Sequence, residues 1–417
     1  MYLLQSVAAG DGDRDLATPL SRYYTGQGTP PGRWAGSGVA HLGGGRLNVG
    51  DEVGQTQLEL LLGEGLDPVT GATLGGGYRH YRTVEQRTRA RIAHLTGTLS
   101  QTERQDHSAR IVAEEQAKGQ RRAVVGFDLT FSVPKSVSAL WAVADAGTQG
   151  LIAAAHHAAV NEVLDFLERR VAETRIGAKN PTTGSVEQAP VHGVAAMQFD
   201  HYDSRAGDPQ LHTHVVIANK GRTVVDGAWR SLDGRTMHAA VVALSELYNA
   251  VLADRITGSF ALQWEHRERG QDRNPAFELA AVAPELVREF STRTHVIEQA
   301  KDQLVEDYRD AFGREPSTRT VLRLWQQATL DTRPTKQVHS LADLTAAWRD
   351  RAKQVLGQDA SVWARQVIAD VRPVAMLRAD DVSLDLLDAL GERVVAAVEP
   401  ARGSYPPNHD MEVRHPH

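Results

Sequence analysis

His212 and His214 stand two residues apart in 211-LHTHVVIANK-220, a stretch with the composition of a β-strand. Side chains at i and i+2 of a strand share a face, so the two imidazoles project side by side. A second strand-like segment, 191-VHGVAAMQFDHY-202, precedes it across the polar connection 203-DSRAGDPQ-210, which is a hairpin signal with a longish loop. That hairpin brings His201 opposite the pair. Three imidazoles converging on one face leave coordination positions open for water or substrate, the layout of a catalytic metal site rather than a structural one. The chain has no cysteine, so disulfides and thiolate ligands are excluded and any metal must be held by His, Asp or Glu. A cupin-type set would need a glutamate shortly downstream, and 215-VVIANK-220 has none; there is also no His-Glu-x-x-His. The expected cofactor is therefore a divalent ion held by His201, His212 and His214, with Mg, Mn, Zn and Ni as the alternatives. Nitrogen ligands suit Zn, Mn, Ni or Co better than a bare Mg site.

These side chains need a frame. The segment 123-AVVGFDLTFSV-133 alternates as a strand, with Val125, Phe127, Leu129 and Phe131 on one face and Asp128 and Thr130 on the other. Asp128 is the polar exception on an apolar strand, open to a role as a solvated residue, a cap or a site carboxylate. Ser132 and Pro134 read as the start of the helix 135-KSVSALWAVAD-145, where Ser132 and Lys135 either contact a phosphate or cap and solvate the helix end. Residues 150–175 and 236–256 read as helices, and 221–234 as a turn with a short strand. Residues 1–50 read as loop and turn, and 55–65 as a helix closed by Gly65. Residues 82–122 are helical and dense in arginine, the best basic surface in the chain. Beyond about 285 come helices over 285–312, 317–331, 341–357 and 359–371. The pattern predicts an α+β fold, an antiparallel sheet with flanking helices, followed by a helical C-terminal region. The expected division is 1–300, 301–400 and a flexible tail over 401–417.

The chain's 417 residues are 41% hydrophobic and 24% charged, ordinary globular values that argue against disorder. No apolar run approaches the roughly 18 residues of a membrane span, and the N-terminus lacks a basic segment followed by an apolar one. A cytoplasmic protein without membrane insertion is expected. The net charge of −6 carries no global signature of nucleic-acid binding, so any such role must rest on local basic patches.

Taken together, 201-HYDSRAGDPQLHTHVVIAN-219, 127-FDLTFSVPKSVSALWA-142 and the pair Tyr23–Tyr24 resemble the TrwC-like conjugative relaxases of the MobF class, which are HUH endonucleases. The helical segment 313-GREPSTRTVLRLWQQATLDTR-333 is similar to the end of that domain in actinobacterial members. The resemblance implies the HUH relaxase fold and a plasmid or mobile-element enzyme. Such an enzyme nicks one DNA strand at a transfer origin, forms a 5′-phosphotyrosine with a free 3′-hydroxyl, and rejoins the strand. It implies Tyr23 as nucleophile with Tyr24 beside it, and Asp128 orienting or deprotonating the tyrosine or holding a ligating histidine. A phenol with a pKa near 10 needs such help at neutral pH. Single-stranded DNA would meet Arg82, Arg87, Lys135 and Arg205 and stack on Trp34, with Trp229 leaning to the core. Accessory relaxosome proteins and a coupling protein are the implied partners.

Two departures stand out. Members carry two tyrosine clusters, and the stretch 25-TGQGTPPGRWAGSG-38 makes Tyr23–Tyr24 look like the second. Tyr2 is then the rival nucleophile, with no room for a strand before it. A truncated start is thus one expectation. No Gly-x-x-x-x-Gly-Lys-Ser/Thr loop occurs, so unwinding would fall to a separate helicase. Alternatives to the relaxase are a rolling-circle replication initiator and a truncated, inactive DNA-binding fragment.

Overall fold

The computed structural model describes residues 30–79, 81–95, 100–120, 123–177, 186–269, 275–334 and 339–369. In chain order these form β1 (Arg33–Ala35), α1 (Gln55–Leu58), which continues as a π-helical stretch to Glu64, α2 (Val84–Ala93) and α3 (Gln101–Ala117). β2 (Gly126–Ser132), α4 (Lys135–Val143), α5 (Ala146–Arg170), β3 (Glu173–Ile176) and β4 (Glu187–Pro190) come after them. Next are β5 (Ala196–Asp203), β6 (Pro209–Ala218), β7 (Gly221–Arg222), β8 (Trp229–Arg230) and α6 (Gly234–Phe260). The last elements are β9 (Trp264–Arg267), β10 (Ala276–Leu279), α7 (Pro284–Glu289), α8 (Thr292–Phe312), α9 (Thr318–Asp331), α10 (Leu341–Leu356) and α11 (Ala360–Ala369).

The α+β expectation holds: β1, β5, β6 and β2 form an antiparallel sheet in that order. β6 is central, and its apolar run Val215–Ala218 is buried on both sides. Period-two alternation sends Leu211, Val215 and Ile217 into a core built with α4, α5 and α6, and Val216 and Ala218 into a second core with Trp34, Leu42, Leu58, Leu61 and Leu62. Phe131 joins the first core, with Phe127 and Leu129 packed against it, as the alternation predicts. Val125 precedes the strand and belongs to the second core instead.

β1 lies in a stretch that reads as loop. Three residues are too few for a periodicity, and their strand identity comes from the ladder Trp34↔Met197 and Ala35↔Ala196 on β5. The turn after it needs Gly36, whose φ is 85° and where a Cβ would sit 2.3 Å from the Val194 carbonyl oxygen. The single helix expected over 285–312 is broken at Phe290–Ser291, because Phe290 turns fully into the core under the Arg351 guanidinium. α6 is the one described helix long and apolar enough by length and composition to cross a membrane, which the sequence pattern does not suggest. Here its stripe Leu244, Tyr248, Leu252, Ile256 and Phe260, spaced at four residues, packs into the helical core.

The described residues fall into two compact units, one holding 30–78 and 123–369, the other 79–120. The boundary expected near residue 300 therefore does not separate compact bodies. The Trp348 indole N–H on α10 donates to the Gly207 carbonyl at 2.8 Å, and Arg351 reaches both Glu289 and Asp208, so the late helices clasp the β5–β6 connection. In the second unit α2 and α3 form a hairpin tied by Arg87 and Arg91 of α2 on Glu115 of α3, which Lys118 at the end of α3 also pairs.

Candidate metal centre

The ladder between β5 and β6 sets His201 opposite His212 and Phe199 opposite His214, while β2 sets Ser132 opposite His212 and Thr130 opposite His214. His201, His212 and His214 thus share one face, at the end of the row that continues into the second core as Val216 and Ala218. The ring centroids lie 5.0, 5.1 and 5.3 Å apart, and one nitrogen from each ring falls within 4.8 Å of the others. His201 Nδ1 is 3.3 Å from His212 Nε2. Nitrogens about 2.0–2.1 Å from a shared ion are separated by roughly 3–3.4 Å, so this pair already has ligand spacing. His201 and His214 are buried, at 5% and 7% exposure, and His212 is half-buried.

Neighbouring acceptors fix how two of the rings point. His214 Nδ1 donates to both oxygens of Asp128, at 3.0 and 3.1 Å, with Thr130 Oγ1 3.2 Å from the same nitrogen. His212 Nδ1 donates to the Gln210 carbonyl at 2.7 Å. With the protons held on Nδ1, the Nε2 atoms carry the lone pairs that a cation requires. Asp128 is the carboxylate partner of a histidine, with 6% of its side chain exposed, rather than a solvated strand residue or a cap for the following helix. Nitrogen donors, burial and a carboxylate behind one ligand fit a divalent ion.

The other expected site residues are placed differently. Lys135 Nζ donates to the Pro209 carbonyl at 2.8 Å and to Gln210 Oε1 at 3.2 Å, tying α4 to the start of β6. Burial pushes its pKa down to about 8, against the raising effect of Asp208 and Glu278. Arg205 lies half-buried on the β5–β6 connection, 3.5 Å from the Pro334 carbonyl. Arg82 is exposed, whereas the Arg87 guanidinium donates to Glu115 and to the Gly119 carbonyl, both at 2.7 Å. Trp34 is no stacking surface: it is 1% exposed, with its indole N–H on Gln57 Oε1, because β1 turns it into the second core. Trp229 packs against that same core. Tyr2, Tyr23 and Tyr24 lie outside the described residues. Sequence reasoning missed the Gln210 carbonyl, a backbone group without a residue signature, and a polar cluster behind the histidines formed by His156, His157, Asp200, Thr213 and Tyr248.

Compared with known proteins, residues 1–355 match the family model for the TrwC relaxase. The chain belongs to the TrwC relaxase family. The multifunctional conjugation protein TraI of Escherichia coli strain K12 is 31% identical over 245 residues, which is 57% of this chain and 12% of that protein. The chain therefore spans about an eighth of the length of that relative. Solved structures of the conjugative relaxase TrwC with oriT DNA show the same fold. A metal-bound form has a TM-score of 0.54 at 28% identity, covering 82% of this chain and 95% of that one. A copper-bound form has a TM-score of 0.52 at 28% identity, covering 79% and 89%. Membership in the TrwC relaxase family accords with both the antiparallel sheet and the order of the histidine and aspartate segments.

Proposed function

We propose that this chain is a metal-dependent DNA relaxase that nicks one strand at a transfer origin and rejoins it. The observation that carries this is the three-histidine face with Asp128 behind His214, in a chain that the TrwC relaxase family matches over residues 1–355. His201, His212 and His214 would hold the divalent ion, which when bound supplies Lewis-acid neutralisation of charge on the phosphate oxygens. Asp128 keeps the His214 proton on Nδ1 and so keeps Nε2 available.

The nucleophile is Tyr23, with Tyr24 as its neighbour and Tyr2 as the rival. Its phenolic oxygen gives up its proton and bonds to phosphorus, the 3′-oxygen of the preceding nucleotide leaves and takes up a proton as the free 3′-hydroxyl, and a 5′-phosphotyrosine results. The reverse attack by that 3′-oxygen restores the strand. The TrwC structures that resemble this chain were solved with oriT DNA, and one of them with a recognition hairpin and cleavage site. Single-stranded origin DNA is accordingly the substrate class, with Arg82, Arg87, Lys135 and Arg205 contributing to its binding. We assign the chemistry to a relaxase domain over residues 1–300, with 301–400 as its helical C-terminal region, and place the protein in the cytoplasm. Relaxosome accessory proteins and a coupling protein are the partners this role calls for.

The test is incubation with Mn or Mg and an origin-derived oligonucleotide, followed by a denaturing gel. A covalent adduct that is lost in Tyr23→Phe is expected. No adduct from the wild type would sink the proposal, and loss only in Tyr2→Phe would move the nucleophile.

A further inference from the structure

Behind the histidine face, on the opposite side of the same two strands, runs a buried polar chain. Strand alternation puts Thr213, between His212 and His214, on the face away from the imidazoles, and does the same for Asp200, next to His201. The two are cross-strand partners, and Thr213 Oγ1 donates to Asp200 Oδ1 at 2.5 Å. Two neighbouring residues of α5 close on them. His157 Nε2 lies 3.0 Å from Asp200 Oδ2, and His156 Nε2 lies 2.8 Å from Thr213 Oγ1. His156 Nδ1 is 2.7 Å from the Tyr248 hydroxyl on α6. His156 and Thr213 are fully buried, and Tyr248 is 3% exposed.

Only one arrangement of protons satisfies every member. The Asp200 carboxylate can only accept, so the Thr213 hydroxyl hydrogen goes to it, and Thr213 Oγ1 accepts from His156 Nε2–H. That leaves His156 Nδ1 as the acceptor for the Tyr248 hydroxyl. Burial favours these forms, pushing the His156 imidazole down to about 3 and the Tyr248 phenol upward, so that both are neutral. His156, His157 and Asp200 have ligand atoms within 4.8 Å of one another, as an ion site would, but both His156 nitrogens face hydroxyl groups, those of Thr213 and Tyr248.

We infer that Tyr248, His156, Thr213, Asp200 and His157 are positioning residues for the metal centre: they pin β5 and β6 to α5 and α6 at the residues flanking the three ligands, and so hold the imidazoles at ligating separation. The inference rests on the metal-centre reading of His201, His212 and His214. A network satisfied at every member is rigid, and it acts on the ligands from the residues directly adjoining them in the chain.

The experiment titrates Co²⁺ into the full chain, with affinity read by calorimetry, coordination by visible absorption and folding by thermal melts. Wild type should bind one ion. Thr213→Val removes the hydroxyl that joins the two halves of the chain, and His157→Ala removes the outer link at a partly exposed position that leaves the core filled. Both should weaken binding, Thr213→Val by roughly tenfold with a changed absorption band, and His156→Gln, which keeps a donor toward Thr213, should bind more tightly than His156→Leu. If Thr213→Val does not fold, His157→Ala and the His156 pair decide. Folded variants that match the wild type in affinity and spectrum, whatever their melting temperatures, would overturn the positioning role alone. Two ions bound per wild-type chain would overturn it by making the cluster a second metal site, and none bound would defeat the metal reading beneath it.

Discussion

Asp128 and His214 are 86 positions apart in sequence and 3.0 Å apart in space. The carboxylate holds the imidazole proton on the nitrogen facing away from the centre and so leaves the other nitrogen's lone pair for the ion. Asp128→Asn preserves the shape and an acceptor but removes the charge. It should weaken metal affinity by about 10–100-fold while leaving the thermal melt of the metal-free chain nearly unchanged, measured by Mn²⁺ or Co²⁺ titration. An unchanged affinity would mean that the strand alone orients His214.

At the scale of elements, the α2–α3 hairpin holds several of its cations in ion pairs within its own two helices. Its arginines read as a surface for phosphate, yet Arg87, Arg91 and Lys118 converge on Glu115, and Arg91 and Arg110 on Glu114. Hydrogen bonds from Arg87, Lys118 and Arg91 hold the Glu115 carboxyl at about 2, below its ordinary 4.5. A carboxyl whose pKa is depressed by folding stabilises the hairpin fully above its unfolded value. That contribution is lost as pH falls from about 4.5 through about 2. Amide exchange in α2 and α3 should therefore accelerate between pH 5 and pH 2.5 more than in β6, and Glu115→Gln should produce the same acceleration at pH 7. Equal protection in the variant at neutral pH would show that the ion pairs do not hold the helices together.

For the molecule as a whole, the late helices are part of the sheet's own unit, and the link runs through Trp348. It is 1% exposed, packs 5.9 Å from Trp141, and donates to the turn that joins His201 to His212. Trp348→Ala should cost about 3–5 kcal/mol in chemical unfolding, with α10 and the β5–β6 hairpin losing protection together. Separate transitions would mean that the region beyond residue 300 folds on its own. What the sequence alone determined is local: the shared face of His212 and His214, the exclusion of thiolate ligands and the longer elements such as β2, β5, β6 and α6, because period and composition act within a few residues. The hairpin placed His201 for the same reason. Tertiary structure alone decided that Asp128 reaches His214, that Trp34 is core, that Glu115 gathers three cations, and that Thr213 and Asp200 meet His156 and His157. Each of these depends on which surfaces distant in sequence pack against one another, and side-chain periodicity carries no record of the partner.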